Sequence, residues 1–181
     1  QAPKARTPMK KILSVRIWQV NLRQMMNQTP EKVSENKMSF KELSLEETIS
    51  KITGARALIV CHRNPDADTV CSALALAELI RMPKGHARAV CSDYIPARLR
   101  FMAKDYQLRL SPGEEEGKLI IAVDVASISQ LGNLVALKDK TSLIIDHHAS
   151  CERFADYFAD STASSAGEII ARIYEEMKSR G

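Results

Sequence analysis

The sequence lacks features that would place it in several common classes. No stretch reaches the roughly 18 consecutive apolar residues that a membrane-spanning helix requires. Its four cysteines, at positions 61, 71, 91 and 151, form no Cys-x-x-Cys pair, which argues against a zinc finger or a redox motif. Each cysteine lies in or beside an apolar segment, so we expect buried free thiols in a cytoplasmic protein.

The first part of the chain also lacks acidic residues, with none before Glu31. Residues 1–37 carry eight Lys or Arg and two Glu, whereas residues 38–181 carry 18 basic and 20 acidic side chains. Arg16 interrupts the only apolar stretch of this segment, which argues against a secretory signal. We predict a basic, disordered leader over 1–37 and a domain over 38–181, whose charge gives no reason to expect nucleic-acid binding. A basic amphipathic helix that contacts a membrane or a partner is the alternative for the leader.

From Ser44 onward, short apolar segments alternate with helical patterns. The predicted strands are 56–62, 87–93, 118–126 and 141–149, with a further short strand within 153–160. The predicted helices are one that follows Ser44 and ends at Gly54, then 68–82, 96–106, 130–137 and 164–180. Strands that alternate with helices across short loops predict an α/β fold, with a parallel sheet of about five strands and helices on both faces.

Acidic residues and histidines cluster where the predicted strands end. They are His62, Asp66 and Asp68 after the first strand, Asp124 near the end of the third, and Asp146, His147 and His148 at the end of the fourth. The carboxyl ends of parallel strands share one edge, where open α/β sheets bind their ligands. Imidazole and carboxylate ligands together suit Mn²⁺, Fe²⁺, Co²⁺ or Zn²⁺, with Mg²⁺ also possible. Because these ligands exceed what one ion needs, they predict two metals that share an Asp, and hence a metal-dependent phosphoesterase.

Each of these residues also has an ordinary structural explanation when taken alone. Asp66 or Asp68, after Pro65, is typical of a turn or a helix N-cap. His62 alone is typical of a hydrogen-bonded histidine at a strand end. Their joint occurrence, in order and each at the end of a strand, favours a functional site.

The same segments resemble the motifs of the DHH phosphoesterase family. "HRNPDADTVCSALAL" is similar to the first motif, "IAVDVAS" to the second, "IIDHHAS" to the third, and "DSTASSAGEII" to the small-residue segment that opens the next helix. The resemblance covers about residues 40–181. It is strongest to the branch that degrades very short oligoribonucleotides and dephosphorylates 3′-phosphoadenosine 5′-phosphate. It implies short single-stranded oligoribonucleotides or nucleotide phosphates as substrates and Mn²⁺ as the usual ion, in two copies, with Mg²⁺ or Co²⁺ possible.

The resemblance also assigns ligands to the two ions. His62 and Asp66 would bind one metal, Asp68 and His147 would bind the other, and Asp124 would bridge both. His148 would face the scissile phosphate as an acid or a charge stabiliser, and Asp146 would orient the histidine pair. Catalytic roles therefore fall to His148 and Asp146.

Two departures from the family pattern leave alternatives open. Cys71 stands where this branch commonly has Gly, and in that detail the first motif is closer to the family's inorganic pyrophosphatases. Those enzymes, however, carry an extra His beside the Asp of the second motif, where this chain has Val125. The family also has a further metal-binding Asp and a C-terminal substrate-binding domain, neither of which we find, so we expect an incomplete amino-terminal domain. A pyrophosphatase-like enzyme, a weakly active metal- and nucleotide-binding fragment, and an interaction module with an inherited site are the alternatives. Oligomeric state cannot be read from the residues.

Overall fold

The computed structural model of the chain describes residues 39–82, 84–103 and 109–180. The predicted leader over 1–37 and the predicted start of the domain at Met38 lie outside these residues. The strands are β1 Arg56–Cys61, β2 His86–Cys91, β3 Leu119–Val123, β4 Thr141–Asp146 and β5 Tyr157–Ala159. The helices are α1 Leu45–Ile52, α2 Ala67–Arg81, α3 Arg100–Ala103 and α4 Ala166–Arg180, with 3₁₀ turns over Ala97–Leu99 and Ile128–Lys140.

The five strands form one sheet in the order β2-β1-β3-β4-β5, and every neighbouring pair is parallel. The chain runs outward from β1 to β2 and then returns to β3 on the other side of β1. The strand order therefore reverses between β1 and β3, which is where open α/β sheets form their ligand crevice. The prediction of an α/β fold with a parallel sheet of about five strands is confirmed.

The two faces of the sheet are covered differently. On one face, Ile59, Ile121 and Ile145 belong to a buried cluster with residues of α1, α2 and α4. On the other face, Leu58 and Ile144 belong to a second buried cluster, which the 3₁₀ segment and the loop after β4 complete. Strands buried on both sides explain the nearly continuous apolar runs of the sequence.

Two predicted helices differ from the structure. The helix predicted over 130–137 is instead a longer 3₁₀ segment, Ile128–Lys140, which Gly132 interrupts with a left-handed φ of 55°. Because an α-helix cannot continue through that conformation, 3₁₀ turns rather than an α-helix cover the second face. Of the helix predicted over 96–106, the described part is a 3₁₀ turn followed by the four-residue α3, and 104–106 lie outside the described residues.

Gly85, which links α2 to β2, occupies a position that accepts no side chain. A Cβ added there would lie 2.2 Å from Ile80 O and 2.9 Å from Ala55 O, both backbone atoms. We expect Gly85→Ala to lower the free energy of unfolding by about 3 kcal/mol or more, because α2 or β1 must shift. Urea denaturation measures this change.

The matched control for Gly85 is Gly113→Ala, where no atom lies within 4 Å and φ is +75°. The control carries only the cost of a left-handed backbone, about 1 kcal/mol. Equal losses for the two variants would show that the space around Gly85 relaxes freely, contrary to this prediction.

Candidate metal centre

His62 follows β1 directly, and its ring is oriented by the backbone carbonyl of the next residue, Arg63. Its Nδ1 lies 2.6 Å from Arg63 O, and since a carbonyl only accepts, Nδ1 carries the proton. Nε2 is then a free acceptor, 3.7 Å from Asp66 Oδ1 and 3.6 Å from Asp124 Oδ2. Asp66 is also the N-cap of α2, because its Oδ1 accepts from Thr69 N at 3.1 Å. The N-cap role expected of an aspartate here and the site geometry therefore coexist in Asp66.

Asp68, in the first turn of α2, connects that helix to the start of α4. Its Oδ2 accepts from Ala166 N at 2.8 Å, and its Oδ1 accepts from Gly167 N at 3.0 Å. Ser72 Oγ donates to the same carboxylate at 3.1 Å. A carboxylate at a helix N-terminus is favoured by the helix dipole. Asp68 Oδ2 also lies 3.8 Å from His147 Nε2, so the carboxylate borders the site while it anchors α4.

Asp124 occupies the centre of the cluster in a conformation uncommon for a non-glycine residue. Its φ is +59°, and its backbone N donates to Ile145 O at 2.9 Å, where β3 ends beside β4. The residue is 3% exposed, and its Oδ1 has no hydrogen-bond partner among the described residues. That oxygen lies 3.6 Å from His147 Nε2 and 3.7 Å from His148 Nδ1. Burial, reinforced by the nearby Asp68 carboxylate, raises the pKa of Asp124 to about 6.

The two histidines after β4 are held in different ways. His147 Nδ1 lies 3.4 Å from Ala163 O, which leaves Nε2 directed toward Asp68 and Asp124. His148 Nδ1 donates to Asp146 Oδ1 at 2.7 Å, and Asp146 is fully buried. This hydrogen bond, more than any other contact, raises the pKa of His148. Nε2, the second ring nitrogen of His148, is thereby left free of this hydrogen bond.

The structure brings the predicted site residues together at the carboxyl edge of β1, β3 and β4. Two groups have ligand atoms within 4.8 Å of one another: His62, Asp66 and Asp124, and Asp124, His147 and His148. The first group has the ligand set expected for one ion, with Asp124 common to both groups. The second contains His148 and not Asp68, although Asp68 Oδ2 lies 3.8 Å from His147 Nε2.

These groups suit a divalent cation on chemical grounds. A buried carboxylate oxygen without a hydrogen-bond partner is costly unless a cation or a proton satisfies it. Ligand atoms that share one ion at about 2.1 Å each lie roughly 3 to 4 Å apart, as the nearest nitrogen–oxygen pairs here do. Neutral imidazole nitrogens and carboxylates complete a donor set that fits Mn²⁺, Co²⁺ or Mg²⁺.

The acidic residues near α4 are engaged in structural contacts. Asp156 accepts from Lys51 Nζ at 2.9 Å, and Arg172 pairs with both Asp160 and Glu168. These three acidic residues therefore have basic partners within the described part of the chain.

Residues 56–181 match the family described as "DHH family, N-terminal domain". The chain belongs to the DHH family. The family resemblance of the motifs is thereby confirmed, and the members of this family are metal-dependent phosphoesterases.

Two curated relatives of the DHH chain match over similar lengths. The uncharacterized protein MJ0988 of Methanocaldococcus jannaschii is 34% identical over 130 residues, which is 66% of this chain and 39% of that protein. The probable bifunctional oligoribonuclease and PAP phosphatase NrnA of Streptococcus mutans is 29% identical over 124 residues, which is 67% of this chain and 39% of that protein. The DHH chain therefore spans about two-fifths of the length of these relatives, 39% in each case.

A solved structure shares the DHH chain's fold. The crystal structure of an exopolyphosphatase-related protein from Bacteroides fragilis has a TM-score of 0.65 and 18% identity, and the match covers 74% of this chain and 43% of that one. At that identity the likeness concerns the fold. Among the described residues, none of the helices is long and apolar enough to cross a bilayer.

Sequence reasoning missed the contact between Asp68 and the start of α4. The partners are backbone N–H groups of residues 98 and 99 positions further along the chain, which no side-chain motif specifies. The run of small residues over 163–167 was the available signal, since an added Cβ at Gly167 would lie 3.3 Å from Asp68 Oδ1.

We expect Asp68→Ala to destabilise the metal-free protein by about 2 kcal/mol, because the N–H groups of Ala166 and Gly167 lose their acceptor. Relief of the repulsion between Asp68 and Asp124 offsets only part of this loss. Urea unfolding in EDTA measures the change, with Asp66→Ala as the control, since loss of an N-cap costs about 1 kcal/mol. An Asp68→Ala loss no larger than that of the control would contradict the anchoring role.

Proposed function

We propose that this chain is the amino-terminal domain of a divalent-metal-dependent phosphoesterase that hydrolyses short oligoribonucleotides or nucleotide phosphates. Membership of the DHH family supports the reaction class, and the printed name of the NrnA relative supports the substrate class. The observation that carries the proposal is the Asp124 carboxylate, which is buried, lacks a partner at Oδ1 among the described residues, and belongs to both candidate ligand groups.

The proposed site holds two ions around Asp124. His62 and Asp66 would hold one ion, and His147 would hold the other with Asp68, once Asp68 is released in part from α4. Bound divalent ions would neutralise the carboxylates, polarise the phosphate and make water more acidic. The family resemblance favours Mn²⁺, and the mixed imidazole and carboxylate donors also accommodate Mg²⁺ and Co²⁺.

His148 is the residue we propose as the acid or charge stabiliser. Its Nδ1 is occupied by Asp146, so Nε2 is the nitrogen available to a substrate phosphate. Its side chain is 41% exposed, unlike the buried Asp146, so a phosphate that arrives from solvent reaches it. Because the Asp146 hydrogen bond raises the pKa of His148, the protonated, donating form persists to higher pH.

Position 125 argues against a site of the pyrophosphatase type. Val125 is fully buried in the cluster with Leu58 and Ile144, on the face of the sheet opposite α2 and α4. Its side chain is therefore packed in the core, and no ligand is offered at the position where pyrophosphatases carry their extra His. A domain that binds metal and nucleotide with little turnover is the second candidate, because backbone N–H groups of α4 hold the Asp68 carboxylate that would bind the second ion.

An activity assay with three substrates tests the proposal. The Mn²⁺-loaded chain is assayed with a short oligoribonucleotide, 3′-phosphoadenosine 5′-phosphate and pyrophosphate, with and without EDTA. We expect EDTA-sensitive hydrolysis of the two nucleotide substrates. Preferential pyrophosphate hydrolysis would contradict the substrate class, and binding without hydrolysis would favour the second candidate.

A further inference from the structure

A pocket of about 450 Å³, in the size range of small-molecule sites, is lined by residues that follow β1 and β2, so it lies at the same carboxyl edge of the sheet as the candidate metal centre. Its lining includes Arg63, Ser92, Asp93, Ile128, Asn133 and Val135. Arg63 directly follows His62, so the pocket starts one residue from a candidate metal ligand. A group bound in the pocket would therefore extend a phosphate that lies at the metal centre.

Hydrogen bonds between three loops fix the pocket walls. Arg63 N, after β1, donates to Gln130 O in the 3₁₀ segment at 2.6 Å. Ser92 Oγ, after β2, accepts from Asn133 N at 2.7 Å. The absence of a side chain at Gly132 allows this approach, since a Cβ there would lie 2.4 Å from Ser92 Oγ. The pocket is thus formed in advance of any ligand.

The groups that remain available in the pocket are a cation, an amide and apolar surface. The Arg63 guanidinium and the Asn133 side-chain amide make no hydrogen bond or ion pair within the described part of the chain. Val135 is 50% exposed and adds an apolar contact. The Asp93 carboxylate also lines the pocket, with its Oδ2 held by Asn64 N at 2.8 Å.

This combination suits a planar heterocycle better than a second phosphate. A guanidinium plane stacks on nucleobases, and an amide donates to and accepts from a base edge. The Asp93 carboxylate would repel an additional anionic group, although it tolerates a neutral ring.

We infer that this pocket receives the nucleobase of a nucleotide whose phosphate lies at the candidate metal centre, with Arg63 stacked on the base and Asn133 hydrogen-bonded to its edge. The inference rests on the proposed function and gives it a specificity determinant within this domain. Arg63 and Asn133 would raise the affinity for nucleotides over simple phosphates without contacting the metal ions.

Adenosine monophosphate and ribose 5-phosphate, which differ by the base, provide the test. Calorimetry on the Mn²⁺-loaded chain should show tighter binding of adenosine monophosphate, by roughly 5- to 150-fold for one stacked base. Arg63→Ala should remove most of that advantage and leave the ribose 5-phosphate and Mn²⁺ affinities within about twofold. Arg63→Lys should restore little, because an ammonium group lacks the planar surface.

Each other outcome overturns the inference in a recognisable way. Equal affinity of the native chain for the two ligands would remove the base site and leave the proposed function intact. Equal losses for both ligands in Arg63→Ala would make Arg63 a phosphate contact. A native chain that binds Mn²⁺ but neither ligand would contradict the inference and the nucleotide substrates together. Asn133→Ala, with its backbone N–H retained, repeats the test should Arg63→Ala prove unstable.

Discussion

Asp124→Asn is expected to weaken Mn²⁺ binding by more than about 100-fold at both ions, since residues that only support a metal ligand already contribute about 10- to 100-fold. Asp124 is the only residue common to both candidate ligand groups of the described chain. An amide offers one neutral oxygen in place of two that share a negative charge. Calorimetric titration with Mn²⁺ gives both stoichiometry and affinity. We expect two ions in the native chain.

Asp139→Asn is the matched control for Asp124→Asn. The Asp139 side chain is 88% exposed, so the same chemical change there removes a charge without touching the site. We expect native Mn²⁺ binding in this variant. Two ions bound with native affinity by Asp124→Asn would contradict the dinuclear arrangement, and one ion bound by the native chain would show that the second position is incomplete in this domain.

Asp124→Asn, although it should weaken metal binding, should stabilise the metal-free protein against unfolding. Burial raises the pKa of Asp124 from 3.8 to about 6, so the folded chain binds this proton more tightly than the unfolded chain does. Stability therefore falls as pH rises through that window, and the cost is complete above it. In EDTA at pH 8, we expect Asp124→Asn to raise the free energy of unfolding by about 1 to 3 kcal/mol. At pH 4 the gain should largely disappear, and a gain independent of pH would contradict this explanation.

The arrangement of the site could be predicted from sequence because it depends on strand topology. Parallel strands present their carboxyl ends at one edge, so residues that follow β1, β3 and β4 must lie near one another once those strands are identified. Runs of apolar residues rich in Val and Ile identified these strands in the sequence. Their burial is complete at residues such as Leu58, Ile121 and Ile145.

The rest of the site depends on contacts that no local pattern encodes. The Asp68 carboxylate meets backbone N–H groups of α4, and every residue except proline carries such a group. The 3₁₀ segment has apolar spacing that also fits an α-helix, and the backbone angle at Gly132 decides between them. Asp124 adopts a positive φ, which Asp tolerates better than most residues but which no local sequence pattern predicts.

His148→Ala is expected to lower kcat by about 10²- to 10⁴-fold and to leave Mn²⁺ affinity nearly unchanged. His148 lies near Asp124 and belongs to one of the two candidate ligand groups. However, the nitrogen that faces Asp124 is Nδ1, and its N–H already donates a hydrogen bond to Asp146 Oδ1 at 2.7 Å. A nitrogen that carries a proton cannot bind a metal ion. Steady-state kinetics and Mn²⁺ titration of the same variant therefore separate the two roles.

His86→Ala is the control for His148→Ala, since His86 is exposed and starts β2 at the opposite edge of the sheet. Asp146→Asn tests the orienting role of Asp146. Without that hydrogen-bonded charge the pKa of His148 should fall, because Asp146 is the main cause of its elevation. A group that must be protonated to act loses activity above its pKa, so the alkaline limb of the pH–kcat profile should move to lower pH. An unmoved limb would contradict the orienting role of Asp146, and a loss of Mn²⁺ affinity in His148→Ala equal to its loss of kcat would make His148 a metal ligand.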